Sequence, residues 1–503
     1  MVFTTQIFLF VFLPLCLLAY FIVDRVEHIG KGVGDFFKKI RVKDLTVIAL
    51  SIGFYMWSCY NDGYRLLLYI TTVYFLGLWI QTARKKGLYV DVKKQGVNGE
   101  EVLHRRVYTS VVPCVLAVTS LVVYLIYYRY STEFIESWNK VFTVELGLQP
   151  MYTLLGISFI TFSAISYLVD IYRGKADAGS WIDCALYMSF FPKIVSGPIV
   201  LWQDFQTQIK TRKSTLSFNV DGINRIIIGF AKKVILADTF GACIAEIGTA
   251  NIDRVTAIGT LLLYMLQIYY DFAGYSDIAI GLSRLFGFDF KENFNFPYRS
   301  KSISEFWRRW HISLGTWFRE YVYFPIGGSR LGLLKTLRNL LIVFLLTGIW
   351  HGAGLNYMLW GLVNGVLVVI ERVLQDKKIY QKIPSFIKYG FTMFAVLLLW
   401  QLFRFNDVKE MMAFFDVING KVTFDSIYYS WQHYFDARMI TFIIIAVLGA
   451  TVLGSERIKK LYTKVSSSAV GFAVQELLLM VLFVIAILFV VNSTYSPFIY
   501  FQY

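Results

Sequence analysis

Residues 339–370 read NLLIVFLLTGIWHGAGLNYMLWGLVNGVLVVI, thirty-two positions without a charged side chain. As one helix at roughly 1.5 Å per residue, this run would measure about 48 Å, well beyond a hydrocarbon core of roughly 30 Å. Gly348, Gly352 and Gly354 crowd its middle. The stretch therefore predicts two helical pieces broken at GIWHGAG, entering and leaving a membrane on the same side, with His351 at the break and near mid-membrane depth. Irregular backbone and an imidazole are tolerated there only where protein or a water-filled cavity surrounds them. The alternative for a single intramembrane histidine is a polar residue hydrogen-bonded inside a helix bundle.

Immediately upstream, residues 302–330 read SISEFWRRWHISLGTWFREYVYFPIGGSR, with His311, like His351, beside a tryptophan. Ser302 and Glu305 have the S-x-x-E spacing of a capping box, so a helix is expected to start there. Continued at helical period, it places Trp307, His311, Leu314 and Phe318 on one face. Arg308, Ile312, Gly315 and Arg319 form the next stripe. The segment reads as a cationic, amphipathic helix at a membrane interface.

Composition supports a membrane setting. The 503 residues are 56% hydrophobic, 18% aromatic and only 17% charged, far more apolar than a soluble globular protein. Uncharged runs occur at about ten places: residues 2–23, 45–61, 66–83, 107–128, 146–169, 255–270, 339–370, 389–403, 439–455 and 477–503. The expected fold is all-α and polytopic, with ten or so transmembrane or re-entrant helices. The formal charge of +15 could suggest nucleic acid, but Lys and Arg fall in links between apolar runs, which fits membrane orientation and argues against a nucleic-acid partner. Five cysteines, Cys16, Cys59, Cys114, Cys184 and Cys243, are scattered singly, so packing roles are expected in place of disulfides or zinc.

Along the chain, residues 1–150 read as a transmembrane scaffold. Residues 151–403 read as a core with re-entrant helices, and 404–503 as an external link with C-terminal helices. The 24–44 and 84–106 links are basic and cytoplasmic by the positive-inside bias, which puts both termini outside. Residues 284–338 carry ten Lys and Arg against four acids, so they too face the cytoplasm. In SFFPKIVSGPIVLWQDF, Pro192, Gly197 and Pro198 interrupt an apolar run around Lys193, which suggests a broken element in preference to a kinked span. Lys232 and Lys233 similarly interrupt the next candidate helix. Asp271 and Asp277, six apart, do not share a helix face, so a helix-end or hydrogen-bonding role is expected in preference to a metal pair.

The strings QIYYDFAGYSDIAIG, ENFNFPYRSKSISEFWRRWHISLGTWFREYVYFPIGG and LTGIWHGAGLNYMLWG resemble the membrane-bound O-acyltransferase family, in particular its alginate O-acetylation branch. SFFPKIVSGPI and the terminal SPFIYFQY resemble that branch as well, so the likeness runs from about residue 151 to the C-terminus. It implies helices arranged around a central funnel. It also implies a catalytic histidine at the W-H-G position, here His351, and a second functional histidine at W-H-I-S, here His311. Trp307, Trp310, Trp350 and Asn356 flank the two and are substrate-binding candidates. Arg308 and Arg309 are candidates for the phosphates of a CoA donor, although an interfacial arginine pair equally suits lipid headgroups.

The resemblance further implies an enzyme of a bacterial plasma membrane that takes an acetyl group from a cytoplasmic thioester, with acetyl-CoA as donor. It would deliver that group outward for O-acetylation of an extracellular polysaccharide through an SGNH-type acetyltransferase partner. No bound cofactor or metal is called for. Such chemistry needs a base for the attacking hydroxyl, a role suited to a neutral imidazole. His311 would orient the acyl group or stabilise oxyanion charge. Two alternatives stand beside this reading: D-alanyl transfer to teichoic acid from a carrier-protein thioester, and a proton-coupled transporter using an intramembrane histidine as relay.

Overall fold

The computed structural model describes residues 3–29, 32–59, 62–86, 89–95, 101–108, 110–142, 155–212, 215–249, 251–405, 407–422 and 427–492. The terminal SPFIYFQY motif and the start of the 146–169 run lie outside the described residues. The chain is a polytopic helical protein. Among the described residues nine helices are long and apolar enough to cross a membrane. The count differs from the ten apolar runs for definite reasons. The helices over 45–61 and 146–169 are each only 17 residues long, Val42–Ser58 and Ile157–Arg173, whereas the 339–370 run resolves into two. The one addition to the all-helical expectation is an antiparallel strand pair, β1 (Tyr89–Gln95) with β2 (Glu101–Tyr108).

Chain contacts divide the molecule into two compact units. The first comprises Ile7–Thr215 with Leu285–Asp289. Within it, Arg41 pairs with both Asp44 and Asp183, tying the basic 24–44 link to a helix 140 residues on, Trp181–Ser189, whose N-terminus carries a complete Ser180–Asp183 capping box. The SFFPKIVSGPI stretch is broken, as its prolines require: a single helical turn, Phe191–Ile194, stands between that helix and an extended segment. Lys193 is buried in this break. Its Nζ lies 2.9 Å from Ser163 Oγ and 4.0 Å from the centre of the Tyr187 ring.

The second unit comprises Leu216–Arg284 and Phe290–Tyr503, with Val2–Gln6. Its helices used below are α1 (Leu216–Ala231), α2 (Asp238–Ile247), α3 (Arg254–Leu285), α4 (Ile303–Arg309), α5 (Ile312–Phe318), α6 (Leu333–His351), α7 (Leu355–Leu374), α8 (Ser385–Arg404) and α9 (Ala437–Thr451). Lys232 and Lys233 do not interrupt the helical path from α1 to α2; that path widens over Lys232–Ala237 and continues. The lysines are accommodated because α1 lies against α3 closely enough that a Cβ on Gly229 would stand 2.6 Å from Gly274 O. At that distance Lys232 Nζ reaches Asp277 Oδ2 (2.6 Å), and Lys233 Nζ reaches Asp271 Oδ1 (2.9 Å) and Asp238. Arg225 adds a second cation at Asp277, 2.7 Å away. The two aspartates are thus partners of cations, which is what permits carboxylates inside so apolar a helix.

The decisive run folds as an antiparallel hairpin, α6 and α7, turned at Gly352–Gly354. Helix α6 starts at Leu333, six residues before the uncharged run, because Lys335 and Arg338 belong to its first turns. The arms have 19 and 20 residues, about 28–30 Å each. Each is therefore about as long as a hydrocarbon core is thick, and His351, expected at a break near mid-membrane depth, lies instead at the end of a full-length arm. Gly348 and Gly361 set the seam: a Cβ on Gly348 would stand 2.5 Å from Tyr357 O and 3.1 Å from Gly361 Cα.

Candidate active site

The expected single helix over 302–318 is two. Ser302 caps α4 by accepting from the Glu305 amide at 3.1 Å, but the Glu305 carboxylate reaches back to the amide of Lys301, not that of Ser302. Helix α4 then stops at Arg309. Trp310 is extended, and His311 adopts a left-handed conformation with φ 45°, unusual for a residue with a Cβ. The cause is the segment ahead of it: Asn295 N donates to Arg309 O (2.9 Å) and Ile312 N donates to Asn293 O (2.9 Å), so residues 293–295 replace the helix's own partners at the break. The predicted face nevertheless survives the interruption, since Trp307, His311, Leu314 and Phe318 all line one cavity.

That cavity has a volume of about 300 Å³ and a predominantly apolar wall. Leu340, Val343, Phe344, Thr347 and His351 contribute one continuous face of α6, so the cavity follows that helix for about 16 Å. Trp360 of α7 and Trp400 of α8 complete the wall, and half-exposed Arg319 with Tyr323 stands where it opens. The turn carrying Arg319 and Tyr323 packs on α6, and Asn339 holds the following loop by donating to the carbonyls of Ile326 and Gly328. The opening therefore lies toward the start of α6 and His351 toward its end.

His351 is buried amid aromatic edges, its ring centre 4.6 Å from Trp350, 4.8 Å from Phe403 and 5.2 Å from Trp360. His311 is equally buried, 4.6 Å from Phe272 and 6.4 Å from Trp350, so the Trp350 ring lies near both imidazoles. Burial holds the His311 imidazole far below its ordinary range, at about 3, so it is neutral at physiological pH. Both histidines, Trp307 and Trp310 thus meet at one cavity, and Trp350 borders the imidazoles without lining it.

The other expected site residues stand apart. Asn356 Nδ2 is committed to the carbonyls of Leu402 (2.9 Å) and Phe405 (3.1 Å), where it joins the hairpin to α8. Arg309 pairs with Glu305 at 2.9 Å, and Arg308 is exposed; neither lines the cavity. Arg319, Trp360, Trp400 and Asn293 are the residues that sequence reasoning did not assign. Trp360 lies within the LTGIWHGAGLNYMLWG string, and Arg319 was already on the cationic stripe, so both had a signal. Asn293 had one too, since it lies within the string that opens ENFNFPY, whereas Trp400 had none.

Comparison with known proteins assigns the chain to a family. The model of MBOAT, the membrane-bound O-acyltransferase family, matches residues 57–384, about two thirds of the chain. The chain belongs to the membrane-bound O-acyltransferase family. Among its relatives, the "Probable alginate O-acetylase AlgI" of Pseudomonas aeruginosa is 35% identical over 429 residues, 83% of this chain and 75% of that protein. The protein of the same name from Pseudomonas putida is 33% identical across the full length of both. The "Peptidoglycan O-acetyltransferase" of Helicobacter pylori is 29% identical over 84% of this chain and 80% of its own. The "Teichoic acid D-alanyltransferase" of Bacillus subtilis is 33% identical over only 46% of this chain. This membrane-bound O-acyltransferase is therefore an enzyme, an acyltransferase embedded in a membrane through many spans.

Proposed function

We propose that this chain moves an acetyl group from a cytoplasmic thioester, acetyl-CoA, toward the extracytoplasmic face of a bacterial plasma membrane. There an SGNH-type acetyltransferase partner transfers it to an exopolysaccharide of the alginate type. The observation that carries the reading is one apolar cavity that has Arg319 at its opening and both His311 and His351 in its wall. A thioester arm suits such a passage: its charged end stays at the guanidinium and its acyl end lies among aromatic rings. His351 serves as general base. It takes the proton of the acceptor hydroxyl while that oxygen bonds to the thioester carbonyl carbon; the C–S bond then breaks and the departing sulfur receives the proton. A base so placed contributes about 10²–10⁴ in rate.

The acetyl reading is preferred to D-alanyl transfer because the O-acetylase relatives align over nearly the whole chain and the D-alanyltransferase over less than half. The test is transfer of radiolabelled acetyl from acetyl-CoA in proteoliposomes containing the partner, with a D-alanyl carrier thioester in parallel. Acetyl transfer by the native enzyme, abolished in His351→Ala at matched protein level, is the expected result. Near-native transfer by that variant removes the base role. Transfer of D-alanine alone assigns the other branch.

A further inference from the structure

Asn293 comes from the ENFNFPY segment that breaks the α4–α5 path, and it is fully buried. Its Oδ1 lies 3.1 Å from Ser313 N, 2.8 Å from Ser313 Oγ and 3.2 Å from His311 Nδ1. The Ser313 backbone amide can only donate, so the atom facing it must be the amide oxygen and not the NH₂ group. An amide oxygen has no proton to give. Its contact with His311 Nδ1 is therefore a hydrogen bond only when Nδ1 carries the hydrogen. The Ser313 hydroxyl does not compete for that nitrogen, because it is 3.5 Å from Nδ1 but 2.8 Å from Asn293 Oδ1. A neutral imidazole has a single N–H, so Nε2 is left as a bare lone pair. Nε2 is buried and has no hydrogen-bond partner among the described residues.

We propose that Asn293 is a positioning residue that fixes His311 as its Nδ1–H tautomer, making His311 a proton acceptor at Nε2 on the wall of the cavity. The assignment rests on the acyl-transfer reading of that cavity and sharpens it. A histidine with a bare Nε2 cannot donate to an oxyanion, so transition-state charge is stabilised elsewhere and His311 instead receives a hydrogen bond from substrate. Two groups offer one: the O–H of the attacking acceptor until His351 takes that proton, or an amide N–H on the arm of the thioester.

The test uses the full-length enzyme in lipid nanodiscs with ¹⁵N-labelled histidine, where only five histidines contribute. The His311 signal is identified by its loss in His311→Gln. We expect a protonated Nδ1 and an unprotonated Nε2 in the native enzyme, a mixture of tautomers in Asn293→Ala, and the native pattern in Asn293→Asp, which keeps an acceptor oxygen. A native Nε2–H signal, or an unchanged tautomer in Asn293→Ala, overturns the assignment. If Asn293→Ala does not accumulate, the native and Asn293→Asp spectra still decide. Activity of Asn293→Ala should fall about 10–100-fold, as for other groups that orient a functional histidine. A fall in kcat at constant KM identifies the attacking hydroxyl as the partner, and a rise in the KM for thioester identifies the donor arm. The spectra hold whether or not acetyl is the group transferred, so failure of this assignment is distinct from failure of the proposed function.

Discussion

Replacing Gly348 by alanine tests the link between helix packing and the cavity. The added Cβ would stand 2.5 Å from Tyr357 O, whereas ordinary contact begins near 3.4 Å, so α6 and α7 must part locally by about 0.9 Å. Neither Tyr357 O nor Gly361 Cα can rotate away, because both are backbone. Overpacking of this kind costs about 1–3 kcal/mol. The same displacement reaches the site, because Val343, Thr347 and His351 lie on one arm and Trp360 on the other. Misplacing a catalytic group by about 1 Å can reduce rate on the order of 10²-fold. The control is Gly390→Ala on α8, where a Cβ meets nothing within 4 Å and helix propensity favours alanine by roughly 0.5–1 kcal/mol. Thermal unfolding in detergent and acyl transfer in proteoliposomes should both separate the two variants. Should Gly348→Ala melt and turn over like Gly390→Ala, the hairpin seam does not set the cavity's geometry.

The pH dependence of stability should carry a His311 component: its folded-state pKa of about 3 lies below the ordinary 6.5, so this contribution is complete above about pH 6.5 and is lost as pH falls from there toward 3. Melting temperatures measured across that window should decline less steeply in His311→Gln than in the native enzyme. Arg319→Ala should raise the half-saturating thioester concentration about tenfold, roughly 1.5 kcal/mol, with little change in maximal rate, and Arg309→Ala should do less because Arg309 is held by Glu305. Steady-state kinetics that ranked the two the other way would move the donor's charged end away from the cavity opening. Cysteine placed at Arg330 should react with an impermeant maleimide only after permeabilisation, and labelling in intact cells would reverse the orientation read from loop charge.

The hairpin was legible because its signals are local: an uncharged run too long for one crossing, and glycines at its turn. The cavity-facing stripe of Trp307, His311, Leu314 and Phe318 was legible for the same reason, since helical period survives a short break. The break itself was not, because it is imposed by the backbone of residues 293–295, hydrogen-bonded from outside the 302–318 pattern. Arg308 and Arg309 look as cationic in sequence as Arg319, and only the helix rotation distinguishes which guanidinium reaches the cavity. Trp400 was hidden for a different reason. It comes from a span some ninety residues beyond Trp310, yet their rings lie 4.7 Å apart, and no periodicity connects such residues.

The pairing of Lys232 and Lys233 with aspartates of α3 also bears on how the protein is made. A nascent chain that has emerged only as far as α2 holds both lysines and one nearby acid, Asp238, while Asp271 and Asp277 have yet to be synthesised. Placing an unpaired ammonium in lipid costs roughly 2.5–3.5 kcal/mol even on insertion-based scales. In the charge pattern, then, the α1–α2 segment gains the partners that offset this cost only once α3 has been made.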